Sequence, residues 1–192
     1  MTKFWLAPAI LVVTLSTTVP AIETQTTPAS KPASAEEKSP TSLAREIHHQ
    51  LLVLPYYSVF DNIDFTLRGR TVTLTGQVVR PMLKANAEAA VRSIEGVTVV
   101  SNQIEVLPAS PDDDDLRRAV YRAVYEDPAL ARYGALAIPP IHIIVKNGIV
   151  TLEGSVESVS DKSLAAARAG KVANVHSVKN NLVVQSKTSA GE

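Results

Sequence analysis

One string of residues occurs twice in this chain. Val72-Thr73-Leu74-Thr75-Gly76-Gln77-Val78 returns as Val150-Thr151-Leu152-Glu153-Gly154-Ser155-Val156. Val100-Ser101-Asn102-Gln103-Ile104-Glu105-Val106 returns as Val178-Lys179-Asn180-Asn181-Leu182-Val183-Val184, and both matches hold at an offset of 78 residues. Upstream, Leu43, Ile47, Leu51, Pro55 and Phe60 correspond to Leu116, Val120, Val124, Pro128 and Tyr133 at an offset of 73. The difference falls in one place, Gly134 to Pro140, which reads as an insertion in the second copy. A repeat of this size is one supersecondary unit used twice, so each structural expectation has to hold in both halves.

Leu43, Ile47 and Leu51 stand at i, i+4 and i+8 and predict a helix with one apolar face. Thr41 or Ser42, following Pro40, offers a cap. In the second copy Asp112 to Asp115 precede Leu116, Val120 and Val124, and carboxylates there complement the positive end of a helix. Two alternating strands follow. Ile63, Phe65 and Leu67 lead through Arg68-Gly69-Arg70 to Val72, Leu74 and Val78. Ile141, Ile143 and Val145 lead through Lys146-Asn147-Gly148 to Val150, Leu152 and Val156. Asn-Gly between alternating runs is a hairpin signal, since both residues accept positive φ. Gly76 and Gly154 fall on the buried face, where a helix is expected to approach. A second helix follows (Leu83, Ala87, Val91, Ile94; Leu164 to Val172), and then a last strand. Strand, helix, strand makes a right-handed parallel crossover. The fold class is therefore α+β: two tandem αββαβ units, each a mixed three-stranded sheet with two helices packed on one face.

The N-terminus reads differently. Lys3, an apolar run from Phe4 to Leu15 and Val19-Pro20-Ala21 predict a secretory signal peptide over residues 1–21. The run is short of the roughly 20 residues of a spanning helix, and Pro8 interrupts it. Residues 22–40 carry almost no large apolar side chain and read as a disordered tether. The repeats span 41–107 and 112–186, and 187–192 form a flexible tail. These features place the protein in the periplasm or outside the cell. With no cysteine, there is no disulfide framework and no thiolate metal site. A formal net charge of 0 points to no nucleic-acid partner.

Val72 to Val78 with Gly96 to Asn102, and Asn147 to Val156 with Val175 to Asn180, resemble the motif of the BON domain. Copy two has Asn174 where that family usually has Gly, and copy one has Gly69-Arg70 where the turn usually has Asn-Gly. The resemblance covers residues 41–186. It implies a non-enzymatic cell-envelope module that engages phospholipid membrane peripherally, in envelope maintenance or osmotic stress. The other function it implies is a periplasmic chaperone or adaptor for secreted protein clients. No catalytic residue and no cofactor belong to the pattern.

The residues themselves offer little chemistry of other kinds. His48 and His49 are adjacent and point apart on a helix, so they lack zinc spacing, and His142 and His176 are far apart. Asp112 to Asp115 lack the alternating spacing of a calcium loop. No Gly-rich phosphate loop follows a strand. No metal site is expected. Aromatic residues are the informative set. Tyr121 and Tyr125 share a helix with Arg117, Arg118 and Arg122, which suits a lipid-headgroup boundary or a partner groove. These five are the leading binding candidates. Tyr56, Tyr57 and Phe60 are the second set. An ordinary contact between the repeats accounts for the tyrosines equally well. Finally, the outer sheet face of copy two carries Ile144, Ile149 and Val183. Such a patch calls for a cover, from the inserted loop, the other repeat or a partner.

Overall fold

The computed structural model describes residues 39–136 and 139–185. The expected signal peptide (1–21), the expected tether (22–40) up to residue 38 and the expected tail (187–192) lie outside the described residues.

Helix α1 (Pro40–Leu52) begins at Ser39, whose side chain accepts from Ser42 N–H at 3.2 Å. The expected caps, Thr41 and Ser42, lie two and three residues past the observed one. Proline at the first helical position has no N–H to satisfy and is already in helical φ, so the capping residue is the one before it. The same device starts α3 (Pro111–Tyr125), where Ser110 accepts from Asp113 N–H at 3.2 Å. Leu43, Ile47 and Leu51 are the buried stripe of α1, as their spacing predicts.

In the first repeat β1 (Asn62–Arg68) pairs antiparallel with β2 (Thr71–Val78). Helix α2 (Pro81–Arg92) crosses back to β3 (Val99–Asn102) and β4 (Glu105–Val106), both parallel to β2. The third strand is thus one strand broken at Gln103-Ile104. The second repeat matches it: β5 (Ile141–Lys146) antiparallel to β6 (Ile149–Val156), then α5 (Val159–Gly170), then β7 (Ser177–Asn180) and β8 (Val183–Val184) parallel to β6. Each sheet is therefore three strands wide and mixed. A short helix, α4 (Ala131–Gly134), leads into the inserted segment.

Asn147 and Gly148 both take positive φ, 53° and 74°, the turn their pair predicts. Gly76 and Gly154 also have positive φ, 111° and 104°, for a different reason from the one expected. No helix presses on them. A Cβ on Gly154 would stand 2.0 Å from the carbonyl oxygen of Pro140, and one on Gly76 would stand 2.2 Å from that of Asn62. The neighbouring strand, not a helix, requires glycine here.

Each repeat has its own apolar cluster. In the first, Ile47, Val72, Leu74, Leu83, Val91 and Ile104 are essentially inaccessible; in the second, Val120, Leu130, Ile141, Ile143, Leu152 and Leu182 are. Burying one such side chain stabilises by about 1.5–3 kcal/mol. Val59 and Phe60 break the symmetry: they belong to the first repeat but pack against the cluster of the second.

Candidate functional site

The segment after α1 is the seam between the repeats. Ile143 N–H on β5 donates to the Val59 carbonyl at 2.7 Å. Phe60 meets Tyr121 of α3 edge-on, with ring centres 6.1 Å apart, and Tyr121 in turn lies 4.9 Å from Tyr125. Tyr57 lies against His142 at 5.6 Å. On the far side, Lys146 Nζ pairs with Glu105 at 2.5 Å. Gln77, Glu105 and Leu107 of the first repeat share a cavity of about 480 Å³ with Ile144 and Ile149 of the second.

That cavity accounts for most of the expected cover. Ile144 is 4% exposed and Ile149 is half-buried, because the first repeat lies beside them. Val183 stands open at 63%, so the expectation that all three are covered fails at Val183. It sits on β8, on the other flank of the central strand β6 from β5.

Helix α3 turns its candidate residues in different directions. Arg117 is 3% exposed: it pairs with Asp114, donates to the Val145 carbonyl at 2.7 Å, and leaves its Nε buried without a partner. Tyr125 is buried, its hydroxyl donating to the Ile141 carbonyl at 2.5 Å, and burial pushes its pKa well up. Tyr121 is half-buried in the seam. Arg118 and Arg122 face out, and Arg118 pairs with the exposed Asp115. In the second set, Tyr57 and Phe60 are seam residues, and burial raises the Tyr57 hydroxyl to about 12. Tyr56 is different. It is 63% exposed, its backbone held at φ 67°, with the Arg80 guanidinium 5.6 Å from the ring centre. Arg80 also donates to the Tyr56 carbonyl at 3.2 Å.

Three outward groups therefore remain from the two candidate sets: Tyr56, Arg118 and Arg122. Arg80, which the sequence did not single out, joins them. Ser58, Phe60, Asp61, Arg80, Asp114 and Arg118 line one cleft of about 240 Å³ where the repeats meet. The cleft can take an anionic group at its basic rim, with an exposed ring beside it.

Two other sites escaped the sequence reading. Asp113 is buried, and its carboxylate accepts from the N–H groups of Asn147 and Gly148 at 2.8 and 2.9 Å, tying the α3 start to the hairpin turn. Asp161 collects Ser158, Tyr133 and Arg132. Each aspartate stands three residues after the serine that caps its helix, Ser110 and Ser158, and that capping-box spacing is the signal that could have found them. The acidic start of α3 also borders a cavity of about 880 Å³ with Asn147 and His176. Among the described residues no three His, Cys, Asp or Glu side chains come together as a metal site.

Among solved structures, CdsD, a structural protein of the type III secretion system of Chlamydia trachomatis, is similar at 15% identity, covering 74% of this chain and 92% of that one, with a TM-score of 0.29. The CdsD C-terminal domain is similar at 13% identity over 78% of this chain and all of that one, TM-score 0.28. No curated protein matches the chain. A family model does, twice, at residues 41–108 and 112–186: the BON domain, a membrane- and envelope-associated binding module. With both repeats of one αββαβ plan matched, the chain belongs to the BON-domain family.

Proposed function

We propose that this protein binds the surface of an anionic phospholipid membrane in the periplasm or outside the cell, without spanning it, through the junction of its repeats. The observation that carries the reading is the exposed Tyr56 with Arg80 over its ring, on the rim of a cleft shared with Arg118. An aromatic ring with a wet hydroxyl and a flanking guanidinium is the chemistry of a membrane–water boundary. An arginine near an anionic surface contributes about 1 kcal/mol, and several together hold a peripheral protein reversibly. Arg122, one turn beyond Arg118, extends the basic surface. Asp115 faces Arg118 and weakens it, so Arg80 and Arg122 carry more of the attraction. Among the described residues no helix is long and apolar enough to cross a membrane.

Sedimentation with vesicles tests this. Binding to phosphatidylglycerol vesicles at low salt, and its absence with phosphatidylcholine alone, is expected. Replacing Arg80, Arg118 and Arg122 together with Ser is expected to weaken that binding at least tenfold, with the circular dichroism unchanged. Equal binding by the triple variant sinks the proposal.

A further inference from the structure

The two sheets differ at one edge. Across β2, the Leu74 and Val78 carbonyls accept from Gln103 and Leu107, so the alternate residues of β2 bond to β1. By that alternation Ile63, Phe65 and Leu67 point their backbone N–H and C=O groups away from the sheet. Their equivalents in β5 are Ile141, Ile143 and Val145, and each of these has an outside partner: the Tyr125 hydroxyl, the Val59 carbonyl and the Arg117 guanidinium. In the first repeat Leu52 stands where Tyr125 stands and Ala44 where Arg117 stands. Neither can make such a bond. Among the described residues nothing takes the part of Val59 either, and the outward backbone groups of Phe65 and Leu67 have no partner.

The side chains beside this open edge are Asp64, Thr66 and Arg68, all exposed, and among the described residues neither charge has an ion-pair partner. We propose that β1 pairs antiparallel with β1 of a second copy of this chain, joining the two sheets across a two-fold axis at Thr66. In that register Phe65 of one copy and Leu67 of the other exchange both backbone hydrogen bonds. Asp64 then lies directly opposite Arg68 of the other copy, in a non-hydrogen-bonded pair, the closer of the two pair types. Moving the axis to Phe65 or to Leu67 sets a charge against Thr66. Moving it to Asp64 or to Arg68 sets like charges face to face, which is destabilising. The charges therefore select one register. An isologous contact uses the same edge from both copies, so assembly stops at the dimer. Charged side chains beside an edge strand also serve to prevent pairing. The two roles are separable, because only a pairing edge gains from having the charges exchanged together.

Sedimentation of the full chain as it accumulates in the cell, in lipid-free buffer up to about 1 mM (a short edge-to-edge contact lies at the weak end of interfaces), tests this independently of membrane binding. A reversible dimer is expected. Asp64→Arg and Arg68→Asp are each expected to weaken it about tenfold or more, since every disrupted pair occurs twice across the axis. The double exchange Asp64→Arg with Arg68→Asp is expected to restore it. A wild type monomeric throughout, single variants that dimerise unchanged, or a folded double variant that stays monomeric overturns the proposal. Amide exchange separates the other occupants. Slow exchange at Phe65 and Leu67 in a dilute monomer means this chain covers its own edge. Slowing only on addition of reduced, carboxymethylated α-lactalbumin means the edge takes unfolded polypeptide. Either result also overturns it.

Discussion

The Tyr125 hydroxyl donates to the backbone carbonyl of Ile141 at 2.5 Å, inside the core of the second repeat. The bond ties the last turn of α3 to the first residue of β5. Tyr125→Phe removes the donor and leaves that carbonyl without its partner on the outer edge. A buried hydrogen bond of this kind is worth about 1 kcal/mol, and an unsatisfied group costs about 1–3 kcal/mol. The variant is expected to keep its circular dichroism and lose about 1–2 kcal/mol in urea denaturation.

Gly154 and Gly69 both have positive φ, but only Gly154 is crowded. Gly69→Ala meets nothing within 4 Å and costs only the left-handed backbone, about 1–2 kcal/mol. Gly154→Ala adds a clash with the Pro140 carbonyl at 2.0 Å, which backbone alone must relieve. Its loss of stability is expected to exceed that of Gly69→Ala by several-fold. Equal melting temperatures for the two variants would remove strand crowding as the reason for the glycine.

His142 is buried in the seam, and burial lowers its pKa below the ordinary histidine value, against the opposing pull of Asp61, Asp64 and the backbone of Ser58 and Asp61. The folded state therefore binds the proton less readily than the unfolded chain does. Stability rises with pH wherever the unfolded state binds more protons. It is expected to fall as pH drops below about 6.5, the unfolded histidine value, and to level off below the folded value. His142→Phe is expected to flatten that slope in urea midpoints measured from pH 8 to pH 5.

Asp161 behaves in the opposite sense. Burial alone would raise its pKa, but hydrogen bonds from Ser158, Tyr133 and Arg132 outweigh it and hold the carboxyl below its usual range. Its contribution is present above the unfolded value and is lost as pH falls through the folded one. Asp161→Asn is expected to destabilise the protein at neutral pH, by about 1–3 kcal/mol. The difference from wild type should shrink in acid below about pH 4.

Phe60→Ala changes a residue of the first repeat, yet its ring sits on Tyr121 and on the core of the second. Amide exchange at Ile143 and Ile144 is expected to speed up more than exchange at Val72 and Leu74. The reverse ranking would place Phe60 energetically in its own repeat.

Element order, hairpin register and the buried stripes were legible because they rest on local periods. Leu43, Ile47 and Leu51 need only a helix, and Asn147-Gly148 needs only a tight turn. What covers a face was less legible. Ile144 announced that it needed a cover, but the cover comes from the first repeat, around Gln77, Glu105 and Leu107, and no spacing encodes that. Phe60 aligned with Tyr133 in the repeat, yet Tyr133 serves its own half through Asp161 and Glu157 N–H, while Phe60 crosses to the other. Arg117 and Arg118 are neighbours in sequence with opposite fates, one bonded to Val145 and one facing water, and α3 alone does not say which side the rest of the chain will take.

The Val59–Phe60 contact also bears on the order in which the halves can mature. The chain is made N-terminus first, so the segment that finishes the β5 edge comes ahead of Ile143 wherever the chain emerges to fold. A gene with the two halves exchanged would encode the same units but deliver the receiving strand before its partner. The duplication has thus become directional: the trailing copy inherits a surface that only a leading copy can close.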